Sequence, residues 1–251
     1  MIEARGLAKR FAARDRPGQV VEAVRRVSFT APDGAITGLL GPNGAGKTTT
    51  LRMISTLVAP TSGSALVDGL DASREPLAVR ARIGMLSDAR GLYGRLTARE
   101  NIAYYGALRG LDAVHVDEAI VRVAEWLDMK PLLDRRTDGF STGERMKVAI
   151  ARALVHDPPN VMLDEPTNGL DVMTTRSLRD AIRRLREAGK CVLFSSHVMQ
   201  EVSALCDNIV IVARGEVVAS GRAPELLALS GCTNLEDAFV RLAHLDEVPA
   251  P

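Results

Sequence analysis

The sequence predicts an α/β protein: a largely parallel sheet covered by helices on both faces, with a β-rich N-terminal region and an all-helical stretch set inside the alternation. Three observations carry that expectation. Short apolar runs alternate with segments of helical period on both sides of residues 97–155. A glycine-rich loop at residues 41–49 joins an apolar run to a helix. A third apolar run, residues 161–163, ends in two carboxylates, Asp164 and Glu165.

Residues 20–30 are valine-rich and read as a strand, 35–40 as a second, and Asp33-Gly34 between them as a turn. A helix begins near Lys47, and residues 64–68 form a short strand between Gly63 and Gly69. Thr97 and Glu100 spell a capping box, in which the hydroxyl accepts the third helical amide while the carboxylate reaches back to the cap. Segments 101–108, 116–126 and 144–155 carry apolar residues at helical spacing. Alternation then resumes: a strand at 161–163, a helix at 174–187 stopped by Gly189, a strand at 191–195 and a helix at 197–205 opened by His197. Residues 208–213 and 216–219 make a hairpin around Arg214-Gly215, and the tail from Pro224 forms one or two small helices, the last amphipathic over 234–245. The expected organisation is one domain, 1–251. Within it, 1–87 and 156–222 build the α/β core with its β region, 88–155 an inserted helical subdomain, and 223–251 a helical tail.

Composition bounds the function. Apolar residues make up 46% and charged residues 25%, the balance of a packed soluble protein. A net charge of +1 argues against a polyanion-binding surface and a nucleic-acid partner. The longest apolar run, 209–213, is five residues, where a membrane-spanning helix needs about 20. The first eleven residues hold no apolar core of a signal peptide. If this chain acts at a membrane, another chain does the crossing. Cys191, Cys206 and Cys232 are scattered, without C-x-x-C spacing, and read as idle thiols in a reducing compartment.

The chemistry is concentrated in two places. Gly41-Pro42-Asn43-Gly44-Ala45-Gly46-Lys47-Thr48-Thr49 satisfies G-x-x-x-x-G-K-[ST] between a strand and a helix. Glycines let successive N–H groups turn inward around phosphates, and the helix start adds its positive dipole end. Lys47 then reaches the β- and γ-phosphates, and the Thr48 hydroxyl serves Mg²⁺. In the acidic pair, Asp164 is placed to hold the metal and Glu165 to polarise an attacking water. Asp171 opens a helix and is read as its cap or as a functional group, while His197 lies just past a strand end, where it can face the γ-phosphate.

Together these residues resemble the ABC transporter ATPase family, over almost the whole chain. Residues 41–49 match its Walker A loop, 161–165 its Walker B strand, 168–171 its D-loop, and His197 its switch histidine. Phe140-Ser141-Thr142-Gly143-Glu144 stands where the family has LSGGQ, directly before a helix. The resemblance implies a P-loop, RecA-like core binding ATP and Mg²⁺. It also implies a head-to-tail pair of copies in which Ser141, Thr142, Gly143, Glu144 and Asp171 reach the ATP held by the opposite subunit. Phe11 occupies the place of the aromatic that stacks on adenine, with plain core packing as the alternative. Two departures stand out: Asp88 replaces the glutamine expected near Mg²⁺, and FSTGE replaces LSGGQ. Tyr93 and Tyr104 lie where the family docks its membrane subunit, or simply pack in the helical region.

The segments around Ser87-Asp88 and Leu96-Thr97 are similar to the ATPase subunits of sodium-exporting ABC transporters. Expected, then, is a peripheral ATPase on the cytoplasmic face, driving a separate polytopic membrane subunit in export. The alternatives are a drug or antibiotic exporter and a soluble ABC ATPase outside transport.

Overall fold

The computed structural model describes residues 1–12, 18–87 and 91–243. The chain opens with two long antiparallel strands, β1 (Ile2–Ala12) and β2 (Val20–Ala31), then β3 (Ile36–Leu40) and α1 (Lys47–Ile54). Next come β4 (Ser62–Val67), β5 (Leu70–Asp71), α2 (Pro76–Arg82) and β6 (Ile83–Leu86). Three α-helices follow, α3 (Ala98–Leu108), α4 (Ala113–Trp126) and α5 (Thr142–Leu154), with two short 3-10 turns between the last two. The chain returns through β7 (Asn160–Asp164), α6 (Val172–Glu187), β8 (Cys191–Ser196) and α7 (Met199–Leu205). It finishes with β9 (Asn208–Ala213), β10 (Glu216–Gly221), α8 (Ala223–Ser230) and α9 (Leu235–Leu242).

The strands lie in the order β5-β4-β1-β2-β10-β9-β3-β8-β7-β6. From β9 to β6 all neighbours are parallel; β1, β2, β4 and β5 pair antiparallel. The division follows burial. Every residue of β3 and β8 is buried, as a strand covered on both faces requires. Adjacent side chains on β7 leave on opposite sides, so Val161 and Leu163 join one core while Met162 joins the other. The first core packs against α4, α5 and α6 through Ile120, Ile150 and Ile182; the second covers α1 through Leu51 and Ile54. Helices α3, α4 and α5 pack on one another, and α5 also meets β6.

The capping box read at Thr97 forms, and a second one stands at Ser141. Thr97 and Glu100 close the start of α3, and Ser141 and Glu144 the start of α5. The structure corrects the reading in two stretches. Residues 83–86, which the sequence pattern assigns to no element, are the outer strand of the parallel sheet, paired with β7. Four residues are too few to show a period, and the short helix before them ends where they begin. His197 does not open a helix: it follows β8 in a turn, and α7 starts at Met199. The amphipathic tail is helical over Leu235–Leu242, and its expected end at 245 lies outside the described residues.

Candidate active site

The glycine-rich loop leaves the buried end of β3 and turns directly into α1. Gly46, just before the helix, has φ 103°, and a Cβ there would sit 2.6 Å from the Ala23 carbonyl oxygen. Only glycine fits both demands. Lys47 is 4% exposed, and its Nζ donates to the carbonyls of Gly41 (2.8 Å) and Pro42 (3.1 Å). The loop is thus wrapped around its own ammonium group.

The end of β7, separated from β3 by β8, brings the acidic pair to that loop. Asp164 Oδ1 accepts from Thr48 Oγ1 at 3.2 Å and from Ser195 Oγ at 2.5 Å. Ser195 is a residue the sequence reading missed. Its hydroxyl also accepts from the Glu165 amide at 3.0 Å, so it holds both acidic residues. The one available signal is the β7–β8 register, which sets Asp164 opposite Ser195.

Glu165 carries a left-handed backbone, φ 45°. For a residue with a side chain this conformation costs roughly 1–3 kcal/mol and collects at functional sites. Its carboxylate lies between two groups, with Oε1 3.4 Å from Lys47 Nζ and Oε2 3.0 Å from His197 Nδ1. A carboxylate oxygen accepts, so this contact assigns the imidazole proton to Nδ1. His197 remains partly open to solvent, its side chain 40% exposed.

The second group of predicted residues stands at the start of α5. Ser141 Oγ accepts from the Glu144 amide (3.2 Å), and the Glu144 carboxylate accepts from the Ser141 amide (2.8 Å). That amide, with help from Arg135, holds the Glu144 carboxyl below the usual carboxylate range. Ser141 and Thr142 are exposed. Gly143 faces α6, where an added Cβ would come within 2.6 Å of Thr174 Cγ2. Thr174 is in turn fixed by the Asp171 cap, its amide 2.9 Å and its hydroxyl 2.7 Å from the carboxylate. These two bonds, the amide first, pull the Asp171 carboxyl below its ordinary value.

A cleft of about 710 Å³ opens between the two groups, lined by Thr48, Ser87, Thr142, Asp164 and Glu165 among others. The oxygens of Thr48 and Asp164 side by side suit a hard cation such as Mg²⁺. Among the described residues no cluster of three or more His, Cys, Asp or Glu could hold a metal alone, so phosphate or water would complete the coordination. Asp88 lies outside the described residues. Phe11 is 39% exposed near the end of β1, with Lys9 Nζ 5.1 Å from its ring centroid, and is not core.

The sequence family described as ABC transporter matches residues 24–168. The chain belongs to that family. As an ABC cassette it is an ATP-binding, ATP-hydrolysing subunit of a transporter. It is 44% identical to the ABC transporter ATP-binding protein NatA of Bacillus subtilis (strain 168), over 96% of this chain and 97% of that protein. It is 36% identical to the probable multidrug ABC transporter ATP-binding protein YbhF of Escherichia coli (strain K12), over 97% of this chain but 42% of that longer protein. A solved structure of an ATP-binding subunit of an ABC transporter superposes with a TM-score of 0.84 at 25% identity, over 96% of this ABC subunit and 99% of its counterpart. The P-loop core that the family resemblance implied is therefore the fold observed. No helix among the described residues of the cassette is long and apolar enough to cross a membrane.

Proposed function

We propose that this ABC subunit hydrolyses ATP with Glu165 as general base and His197 orienting it, and that two copies close head-to-tail around two ATP molecules to drive a separate membrane subunit in export. The observation that carries the reading is the placement of the Glu165 carboxylate, one residue beyond Asp164 and bridging Lys47 and His197. The inward-turned loop and Lys47 would bind the phosphates, and Phe11 would stack on the adenine. Thr48 and Asp164 would hold Mg²⁺, which when bound neutralises phosphate charge, with Asp88 as an added carboxylate nearby. The exposed start of α5, with Ser141, Thr142, Gly143 and Glu144, would meet the γ-phosphate bound by the other copy, and Asp171 would brace it through Thr174.

Tyr93 and Tyr104 support the membrane partner. Their rings meet edge to face at 5.5 Å, and both stay about half exposed. The mutual packing of α3, α4 and α5 supports treating residues 88–155 as a helical subdomain that carries this surface. The place of action is then the cytoplasmic face of the membrane. The resemblance of the segments around Ser87-Asp88 and Leu96-Thr97 to subunits of sodium exporters favours sodium as cargo, and likeness to YbhF, named as probably multidrug, favours a drug instead. Uptake of labelled sodium or of a fluorescent drug into inverted vesicles decides between them.

Glu165→Gln tests the hydrolytic reading. It keeps the size of the side chain and removes the base, so turnover should fall about 10²–10⁴-fold. ATP binding should persist, and a nucleotide-dependent dimer should appear by light scattering. Wild-type turnover in this variant would end the assignment of Glu165.

A further inference from the structure

We infer that Glu201 is a positioning residue for hydrolysis, locking the turn that carries His197 to the turn that leaves Glu165. This rests on the reading of Glu165 and His197 as the hydrolytic pair. Glu201 stands in the first turn of α7 and is only 6% exposed. One of its oxygens, Oε2, accepts from Thr167 Oγ1 at 2.6 Å and from Ser196 Oγ at 3.0 Å. Thr167 lies two residues after Glu165, and Ser196 immediately precedes His197.

A single carboxylate oxygen thus gathers a hydroxyl from beside each member of the pair. The ring closes through the Glu165–His197 contact at 3.0 Å. Ser196 Oγ also accepts the Val198 amide at 3.0 Å, so the backbone on both sides of His197 is tied to the same group.

The arrangement is not what packing alone would select. Burying a carboxylate is costly without compensation. Yet among the described residues both hydrogen bonds that the Glu201 carboxylate accepts come from neutral hydroxyls of the two active turns. An apolar residue would fill the same space and leave the two turns unlinked. Hydrogen bonds to a charged acceptor are short and directional, which suits a group that must set orientation. A displacement of about 1 Å between reacting groups can cost about a hundredfold in rate. His197, partly exposed and with Glu165 as its side-chain hydrogen-bond partner, needs such a brace.

The test is steady-state ATP hydrolysis by the full chain, with kcat and KM separated. Glu201→Ala should lower kcat by about ten- to a hundredfold while KM stays within about threefold. Glu201→Gln, whose carbonyl oxygen can accept both hydroxyls, should recover most of the loss. In a His197→Ala background, Glu201→Ala should add little further loss, because its effect passes through His197 and its partner. Thr167→Val and Ser196→Ala each cut one arm and keep the carboxylate; both should lower kcat in the same sense, and they read the effect even if Glu201→Ala fails to fold. Wild-type kcat in the three alanine and valine variants, or full multiplicative losses with His197→Ala, would overturn the inference. So would a Glu201→Gln variant as impaired as Glu201→Ala. Wild-type turnover in His197→Ala alone would instead remove the hydrolytic pair on which the inference stands.

Discussion

Mild acid should loosen this protein through one histidine outside the active site. His156 follows the end of α5, and its Nε2 lies 3.1 Å from the Ile83 carbonyl at the start of β6. A carbonyl only accepts, so Nε2 carries the proton. Nδ1 is left buried and without a hydrogen-bond partner among the described residues. A second proton would have no acceptor and would add charge near Arg109. Burial first, then Arg109, lowers the pKa from 6.5 to about 4. Between these values the unfolded chain binds a proton that the fold refuses, so stability falls as pH drops from 6.5 toward 4. At about 1.4 kcal/mol per unit, the loss is about 2 kcal/mol at a pH of about 5. Solvent at the open edge of the ring trims this to about 1–2 kcal/mol. The assay is urea unfolding followed by circular dichroism, at about pH 7.5 and about pH 5, for wild type and His156→Gln. Glutamine can donate the same bond to Ile83 and does not titrate. The variant should lose less stability on acidification, by that difference. Equal losses in the two proteins would refute the reasoning.

Two substitutions of glycine probe the site directly. Gly46→Ala combines a φ of 103° with a methyl 2.6 Å from the Ala23 oxygen, and should cost about 2–4 kcal/mol of stability. Nucleotide affinity, measured with a fluorescent ATP analogue, should drop below detection; wild-type affinity would contradict the cradle. Gly143→Ala drives a methyl toward Thr174 Cγ2, at 2.6 Å. Turnover should fall about tenfold, and stability by about 1–3 kcal/mol. Thr174→Ser, which removes that carbon and keeps the hydroxyl on Asp171, should restore most of both, and failure of this rescue would show that the α5–α6 contact is not the cause.

What the sequence made legible was local. The loop at 41–49 needs its glycines, lysine and threonine in a fixed string, and its helix begins at Lys47 as expected. The two capping boxes depend on residues three apart, and the strand before Asp164 on a continuous apolar run. Ser195 and Glu201 were not legible, because each gains its importance from something distant in the chain. Ser195 matters through the β7–β8 register. Glu201 looks like any polar residue opening a helix until Thr167 and Ser196 are folded over it. His197 was found from its position past a strand, although the helix it seemed to begin starts two residues later.

The antiparallel wing and the parallel sheet meet through one register pair, Glu216 with Arg26. At the tip of the adjoining hairpin, the Gly215 oxygen accepts from the amides of Arg25 (2.8 Å) and Arg26 (3.3 Å), while the Gly215 amide donates to the Ala45 carbonyl at 3.1 Å. One peptide-length rivet therefore fastens the wing to the phosphate loop itself. Two hydrogen bonds through Gly215 thus join Ala45 to β2, and the wing is anchored on the loop as well as paired along its edge.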